Sequence, residues 1–342
     1  MPISTSMEDN PSIPMERSCK IFRRSIYTFL QHYQYFTSTA ALLAFPFSAS
    51  ILLSQAFVPS SSLLPKIHYR LQSLFDAAGF PPSSEFFSVL NVKLSQTISS
   101  SIFALPFTLS FLLIAKAYII QSLNQHKPTF PPQFSSFISL FNPLLLTYIC
   151  NSLVILSANA TAFSLLFFAF NCLQGFGFSS PNFLLFLSAA GAVLYSIILA
   201  NVLVICNLAL VSSGMERCGG HLAILKACIV IGGRASTALS LALPVNLALA
   251  AVEALFQYRV IKALHLAGKP TYSMALEGLF IAYLYSILVV LDTIVSCMFF
   301  KSCKTGSLIE QDGIGRYSYR IELDEEDAIA FVKLKNSEEE IP

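Results

Sequence analysis

The sequence predicts an all-α, polytopic membrane protein: a helix bundle of six transmembrane helices, with amphipathic helices at its interfaces. Two observations carry this expectation. The 342 residues are 55% hydrophobic and 12% charged, with a mean hydropathy of +0.66, whereas soluble domains carry about 25% charged residues. Runs of about 20 apolar residues, the length that crosses a hydrocarbon core about 30 Å thick, occur six times.

Three parts follow along the chain: a 1–35 cytoplasmic N-terminal segment, a 36–300 six-span domain and a 301–342 acidic cytoplasmic tail. The lead "MPISTSMEDNPSIP" has too little apolar content to fold and is expected to be disordered. The spans run from Phe36 to Val58, Thr97 to Ile120, Pro143 to Phe170, Phe183 to Val211, Ser236 to Gln257 and Leu279 to Phe300. The first begins too far from the N-terminus to resemble a cleaved signal peptide and reads as a signal anchor. Between the first two spans, "IHYRLQSLFDAAGF" sets Ile67, Leu71, Leu74, Phe75 and Ala78 on one helix face, as in a helix lying on the membrane surface. In the tail, "YSYRIEL" and "AIAFVKL" alternate as strands do, but a lone hairpin is marginal in water and a solvated tail is the simpler expectation.

Lys and Arg are retained preferentially on the cytoplasmic side of a membrane. If the spans alternate, eleven bases fall on the side of the termini (Arg17, Lys20, Arg23, Arg24, Lys116, Lys127, Arg217, Lys226, Arg234, Lys301 and Lys304). Six fall opposite (Lys66, Arg70, Lys93, Arg259, Lys262 and Lys269). Both termini are therefore expected in the cytoplasm of an integral membrane protein, in an endomembrane or the plasma membrane. The net charge of +2 and the lack of any basic run interleaved with aromatics argue against a nucleic-acid partner. Eight scattered cysteines without a C-x-x-C pair suggest neither a disulfide framework nor a metal, and no cofactor is implied. The chain holds no H-E-x-x-H, G-x-S-x-G or P-loop pattern, so it is expected not to be an enzyme.

Polar groups inside spans are the candidate site. A charge at the bilayer centre costs about 2.5–3.5 kcal/mol on insertion scales. Asp292 lies near the middle of the last span among thirteen Leu, Ile, Val and Phe residues, whose contributions of about −0.3 to −0.6 kcal/mol each outweigh it. Its carboxylate should face the bundle interior, either as a hydrogen-bonding structural group or as a site for an ion, proton or substrate. Lys116 is expected to snorkel to the cytoplasmic surface, and Glu253 to lie near the far end of span five. Asn151, Asn159, Asn201, Asn207 and Asn246 read as helix glue; Asp292, Asn246 and Glu253 form the candidate intramembrane polar site, and Asp292, Asn246 and the proline breaks are the groups that would line a path. Pro46, Pro106 and Pro244 sit in similar apolar phrases at mid-span and read as kinks.

The most polar internal stretch lies between spans four and five. "E-x-x-G-G-x-x-A-I-x-K-A-x-x-x-x-x-G-R", from Glu216 to Arg234, resembles the signature of a plant family of uncharacterised six-span membrane proteins. In looser form it is similar to the bacterial glycerophosphodiester phosphodiesterase membrane-domain group. There the phosphodiesterase chemistry resides in a separate catalytic domain, so the resemblance implies a membrane architecture and no activity. From the residues themselves, Glu216 ends span four, and Gly219 and Gly233 serve as hinges. A short helix between them lies in the interface, with Lys226 and Arg234 meeting anionic lipid headgroups at the cytoplasmic face. The expected function is non-enzymatic: organising lipids, partners or trafficking, with protein partners reached through the tail. The alternative is a transporter or channel for a small solute or ion that uses Asp292.

Overall fold

The computed structural model describes residues 14–77, 85–124, 134–175, 181–267 and 271–312, and every regular element among them is helical. The lead up to residue 13 and the alternating segments of the tail lie outside the described residues. The chain divides into two compact units, Met1–Ser302 and Cys303–Pro342. The bundle belongs to the first, and the described residues of the second are helical. Six helical stretches are long and apolar enough to cross a membrane: Tyr33–Phe57, Ser88–Asn124, Leu140–Ala169, Ala189–Glu216, Ala235–Leu264 and Tyr272–Lys304.

Helix α1 (Pro14–Gln31) occupies much of the segment expected to be partly disordered. Proline opens it, where a missing N–H costs nothing. Ser18, Ser25 and Phe29 are buried on one face while Lys20, Arg23 and Arg24 are exposed on another. Burial of that first face against the rest of the chain, which composition alone does not report, is what holds it helical. Ser18 Oγ shares a 2.6 Å hydrogen bond with Ser240 Oγ near the start of span five. The chain then bends at His32, so that Phe29 and Phe36 stack with ring centroids 5.9 Å apart.

Span one is α2 (Tyr33–Thr39), a π turn at Ala40–Ala44 and α3 (Phe45–Phe57); span two lies within α5 (Glu85–Phe107), a π turn at Thr108–Leu112 and α6 (Leu113–Asn124). The π turns sit beside Pro46 and Pro106, whose missing N–H groups disturb the regular ladder. In each, an amide reaches a carbonyl five residues back: Phe45 N–H to Ala40 O and Leu113 N–H to Thr108 O. The two wide turns touch each other. Hydroxyls at the turns donate to carbonyls one turn back, as Ser48 does to Ala44 O and Thr108 to Ala104 O. Pro244 sits inside an unbroken helix. Below the π turns, buried Ser48, Ser50 and Ser54 of α3 face a second helix that buries Asn91, Ser95 and Ser99. Small side chains let two backbones approach where lipid removes any hydrophobic drive to associate.

The loop helix expected after span one is α4 (Leu63–Ala77). Its packed arc is rotated toward Leu64 and His68: Ile67, Leu71 and Phe75 are half-buried, Leu74 faces outward, and Ala78 lies outside the described residues. Phe75 sets this rotation by reaching Phe163 of the third span, 6.4 Å between ring centroids.

Helices α7 (Phe134–Gly175) and α8 (Pro181–Glu216) form a long antiparallel hairpin carrying spans three and four. Asn151 Nδ2 donates to Cys206 O at 2.8 Å and Tyr195 OH to Asn159 at 2.7 Å. At Gly191, an added Cβ would lie 2.6 Å from Leu166. The segment expected to lie as a free interfacial helix is α9 (His221–Ile231), and it docks on the hairpin. Its stripe of Ala223, Ala227 and Ile231 is buried, while Leu222, Leu225 and Ile229 point outward, Ile229 being 72% exposed. The turn into it is tight. Arg217 and Gly220 have positive φ, an added Cβ at Gly219 would lie 3.0 Å from Pro143 Cα, and Gly220 N–H donates to Thr147 Oγ1 at 2.9 Å.

Span five consists of α10 (Ala235–Phe256), a π turn at Gln257–Ile261 and α11 (Lys262–Ala267); span six lies in α12 (Tyr272–Asp312). The last span is the centre of the bundle, with 50% of its apolar window buried, the largest share of the six. One core cluster packs Val290 and Ile294 against Phe36, Ala40, Ala115 and Ile119; the other packs Ile281, Ala282 and Tyr285 against Leu52, Val252 and Phe256.

Replacing Gly220 by Ala would force a Cβ onto a backbone at φ 72°, ψ −138°, a conformation costing about 1–3 kcal/mol for other residues. The variant is expected to lower the midpoint of thermal aggregation in detergent. Ala at Gly232, whose φ is −50°, should change it less.

Candidate functional site

Helix geometry brings the polar groups of three spans to one level. On α12, Ser296 follows Asp292 by one turn and shares its face. On α8, Asn207 lies opposite both. Its amide Nδ2 donates to Asp292 Oδ2 at 3.0 Å and to Ser296 Oγ at 3.1 Å, while its Oδ1 accepts from Lys116 Nζ of α6 at 2.7 Å. One neutral amide thus stands between an ammonium and a carboxylate, offering each the end of its dipole that the charge requires.

Lys116 corrects the snorkelling expectation. It is only 7% exposed. The apolar run seemed to end at Ile120, but the helix continues to Asn124. Lys301 Nζ donates to Leu123 O at 2.8 Å, marking the end at which spans two and six finish together. At 1.5 Å per residue, Lys116 lies about 10 Å and Asp292 about 13 Å inside that end. Neither charge reaches water there by stretching. An unpartnered polar group at such a place is costly, and Asn207 gives both side chains a hydrogen-bond partner.

Glu253 belongs to a separate cluster. Its Oε1 accepts from Tyr285 OH at 3.0 Å and its Oε2 from Gln55 Nε2 at 3.4 Å, and Gln257 Nε2 donates to Gln55 Oε1 at 3.3 Å. Tyr285 precedes Asp292 by seven residues, so the clusters occupy one stripe of α12 about 10 Å apart along its axis. Asn246 joins neither. Its side chain is exposed on the outside of α10, beside exposed Leu247, and is not brought together with Asp292 or Glu253. Of the other asparagines, Asn151 and Asn159 bridge helices, while Asn201 bonds Ile197 O within its own helix.

The motif between spans four and five gathers most of its residues. Lys226 Nζ meets Glu216 Oε2 at 2.6 Å and Cys218 Sγ at 3.2 Å. Glu216 is the main cause holding the Lys226 ammonium above its usual range, so on the basic side the bridge persists beyond the pH at which a free lysine loses its proton. Lys226 is therefore an ion-paired residue, and the cation expected to face headgroups is partly satisfied within the protein. Gly233 has φ 75° at the break before α10, and half-exposed Arg234 is the N-cap of that helix.

A family model described as "Domain of unknown function (DUF8558)" matches residues 15–335. The chain belongs to that family. The DUF8558 match begins within α1 and includes both polar clusters, α9 and all six spans. No curated protein and no solved structure matches the chain.

Sequence reasoning named Asn207 as helix glue and Lys116 as a snorkelling base without joining either to Asp292, and it passed over Gln55 and Tyr285 beside Glu253. The seven-residue spacing of Tyr285 and Asp292 on one apolar helix was the available signal. Removing Asn207 alone, as in Asn207→Leu, leaves a buried ammonium without its acceptor, a loss of about 1.5–3 kcal/mol for a hydrogen bond to a charged group. Unfolding in mixed micelles should report that cost, and Asn246→Leu should show almost none. Substituting Lys116, Asn207 and Asp292 together by Met, Leu and Leu should recover much of the loss, because apolar replacement of a whole buried polar set is often close to neutral.

Proposed function

We propose that this chain is a non-enzymatic, multi-pass membrane protein that organises lipids and partner proteins at one face of its membrane, with both termini cytoplasmic. The observation that carries this reading is the arrangement of α9. Its inner stripe is committed to the hairpin while Leu222, Leu225 and Ile229 remain outward, an apolar surface directed at lipid or at a partner. The interior supports the same reading, because Asp292, Asn207 and Lys116 are used up in bonds between helices. The resemblance of the Glu216–Arg234 motif to plant six-span membrane proteins, and to the bacterial membrane-domain group, fits a role carried by membrane architecture rather than by a catalytic site.

The cytoplasmic assignment rests on the excess of bases on one side. It is supported by Ser18 meeting the start of α10, and by Lys301 meeting the end of α6. That end of the bundle would present α1 to anionic headgroups, and the acidic tail to protein partners, in an endomembrane or the plasma membrane.

Proximity labelling from the full chain is expected to yield a reproducible set of membrane neighbours. The set should shrink when Leu222, Leu225 and Ile229 become Ser, or when residues 313–342 are deleted; an unchanged set in both variants would sink this reading. Epitope tags on the two termini should both be reached when only the plasma membrane is permeabilised, and protection of either one would reverse the orientation.

A second reading, a transporter or channel, is favoured by the charged groups linked through Asn207. In proteoliposomes given a panel of small ions and solutes, an Asp292-dependent path predicts flux that Asp292→Asn reduces at least about tenfold, as loss of a transport charge typically implies. Equal flux from the variant, or none from either protein, excludes it.

A further inference from the structure

A groove of about 640 Å³ between α8 and α10, walled by Ala192, Ser196 and Ala200 on one side and Ser240 and Leu243 on the other, offers almost no polar surface. It selects nothing beyond apolar character. A cleft of about 580 Å³ differs in its chemistry. It opens where the chain bends at His32, between α1 and span one, and Gln31, His32, Gln34 and Ser38 supply its polar groups. No Lys, Arg, Asp or Glu lines it among the described residues. Ligand sites of about 300–1,000 Å³ are built this way, from apolar walls and a few polar groups that orient what enters.

Those polar groups are uncommitted. Among the described residues, none of the four side chains has a hydrogen-bond partner, whereas neighbouring Thr37 and Thr39 close onto carbonyls of their own helix. Tyr35, also in the wall, donates from its OH to Tyr118 O at 3.2 Å. That bond fixes the depth, because Tyr118 lies six residues, about 9 Å, inside the end of α6. Gln31 and Gln34 therefore sit toward the membrane boundary, with Ser38 and Leu42 below them. From Gln34 to Leu42 the chain rises about 12 Å, less than half of a hydrocarbon core about 30 Å thick.

The matching ligand has a small, uncharged, hydrogen-bonding head at the boundary and an apolar body contained in one leaflet. The rings of His32, Tyr33 and Tyr35 line the cleft and present flat surfaces to that body. A rigid fused-ring body gives up less conformational freedom there than an acyl chain does. On α1, exposed Arg24, Tyr27 and Leu30 follow the base–aromatic–aliphatic order associated with sterol contact. The pattern is short and common, and what it adds is continuity: Gln31 extends that face one turn beyond Tyr27 into the cleft.

We propose that the cleft at this bend binds a sterol, its single hydroxyl held by Gln31, His32 and Gln34 and its ring body set against Tyr35, Ser38 and Leu42. The proposal rests on the lipid-interacting reading above and names its site and lipid class.

The test uses the full-length protein in phosphatidylcholine nanodiscs and cholesterol carrying a photoreactive diazirine on its ring system. Wild type should crosslink within residues 31–42. Unlabelled cholesterol should compete roughly two- to tenfold better than epicholesterol, whose hydroxyl alone is inverted, which is the worth of one hydrogen bond. Gln31→Leu with Gln34→Leu should keep the crosslink at higher probe concentration and erase that difference. Ser38→Phe, which fills the cleft, should lose the crosslink. Size-exclusion profiles matching wild type establish that the variants fold, and the wild-type map and epimer ratio stand without them. Sterol crosslinks elsewhere on the chain, or equal competition by the two epimers, would overturn this site and leave the lipid-interacting reading intact. A photoreactive diacylglycerol that takes residues 31–42 more readily than the sterol would assign the cleft to a glycerolipid, overturning the proposal and supporting that reading. No competable crosslink from either probe would count against both.

Discussion

The ammonium of Lys116 is the constraint to which the bundle answers. It sits among Ala115, Ala117 and Leu113, all buried. A charge so placed cannot be tolerated without an acceptor and a counter-charge. Asn207 supplies the acceptor and Asp292 the counter-charge, and each requirement fixes a helix: Asn207 sets α8 against α6, and Asp292 with Ser296 sets α12 against α8. Apolar packing alone would not choose this register, because Leu, Ile and Val of one helix fit those of another in several offsets and lipid competes equally well for all of them. A directional bridge among three helices makes the offsets inequivalent. With α12 fixed, Val290 and Ile294 fall between spans one and two, and two turns earlier Tyr285 falls within reach of Glu253.

The same register governs the turn after span four. At Glu216 the chain must reverse beside α7, and it does so where Pro143 and Thr147 present a backbone and a hydroxyl. Gly219 passes too close to Pro143 for a side chain, and Gly220 turns its amide onto Thr147. Had α8 been offset by a turn, Gly219 would no longer pass Pro143 nor Gly220 meet Thr147. The docking of α9 is therefore downstream of the intramembrane bridge, and the ion pair of Lys226 with Glu216 closes the reversal from outside. Exposed as it is, that pair contributes little energy by itself. Its consequence is placement, since it ties α9 back to the end of α8.

The class of fold was legible because membrane insertion writes length and hydropathy into the chain. All six spans, the hinge glycines and the short helix between spans four and five could be found this way. Interior and exterior could not be told apart, because both faces of a spanning helix are apolar, so Asn207 at the hub and Asn246 on the outside look alike in sequence. Depth failed at Lys116 for a related reason. The apolar run stops at Ile120, but Gln121, Ser122 and Asn124 continue the helix, and four more residues carry the charge beyond snorkelling range. The helix α1 was missed because its stability comes from packing on α10, which composition does not record. The tail strands and the lead lie outside the described residues and bear on none of this.

A bundle whose buried charges are satisfied within itself is poorly suited to exchange them, since moving any one strands the other two. Variation in such a protein is cheapest at the surface, where a helix face can change without a desolvation penalty. The small-residue walls between α8 and α10 are instructive here. In a helix pair meant only to pack, Ala192, Ser196 and Ala200 would bring the backbones into contact and the groove would close. The groove lies beside the point where Gly232 and Gly233 end α9 and Arg234 opens α10. The break in the chain and the gap in the bundle are thus adjacent.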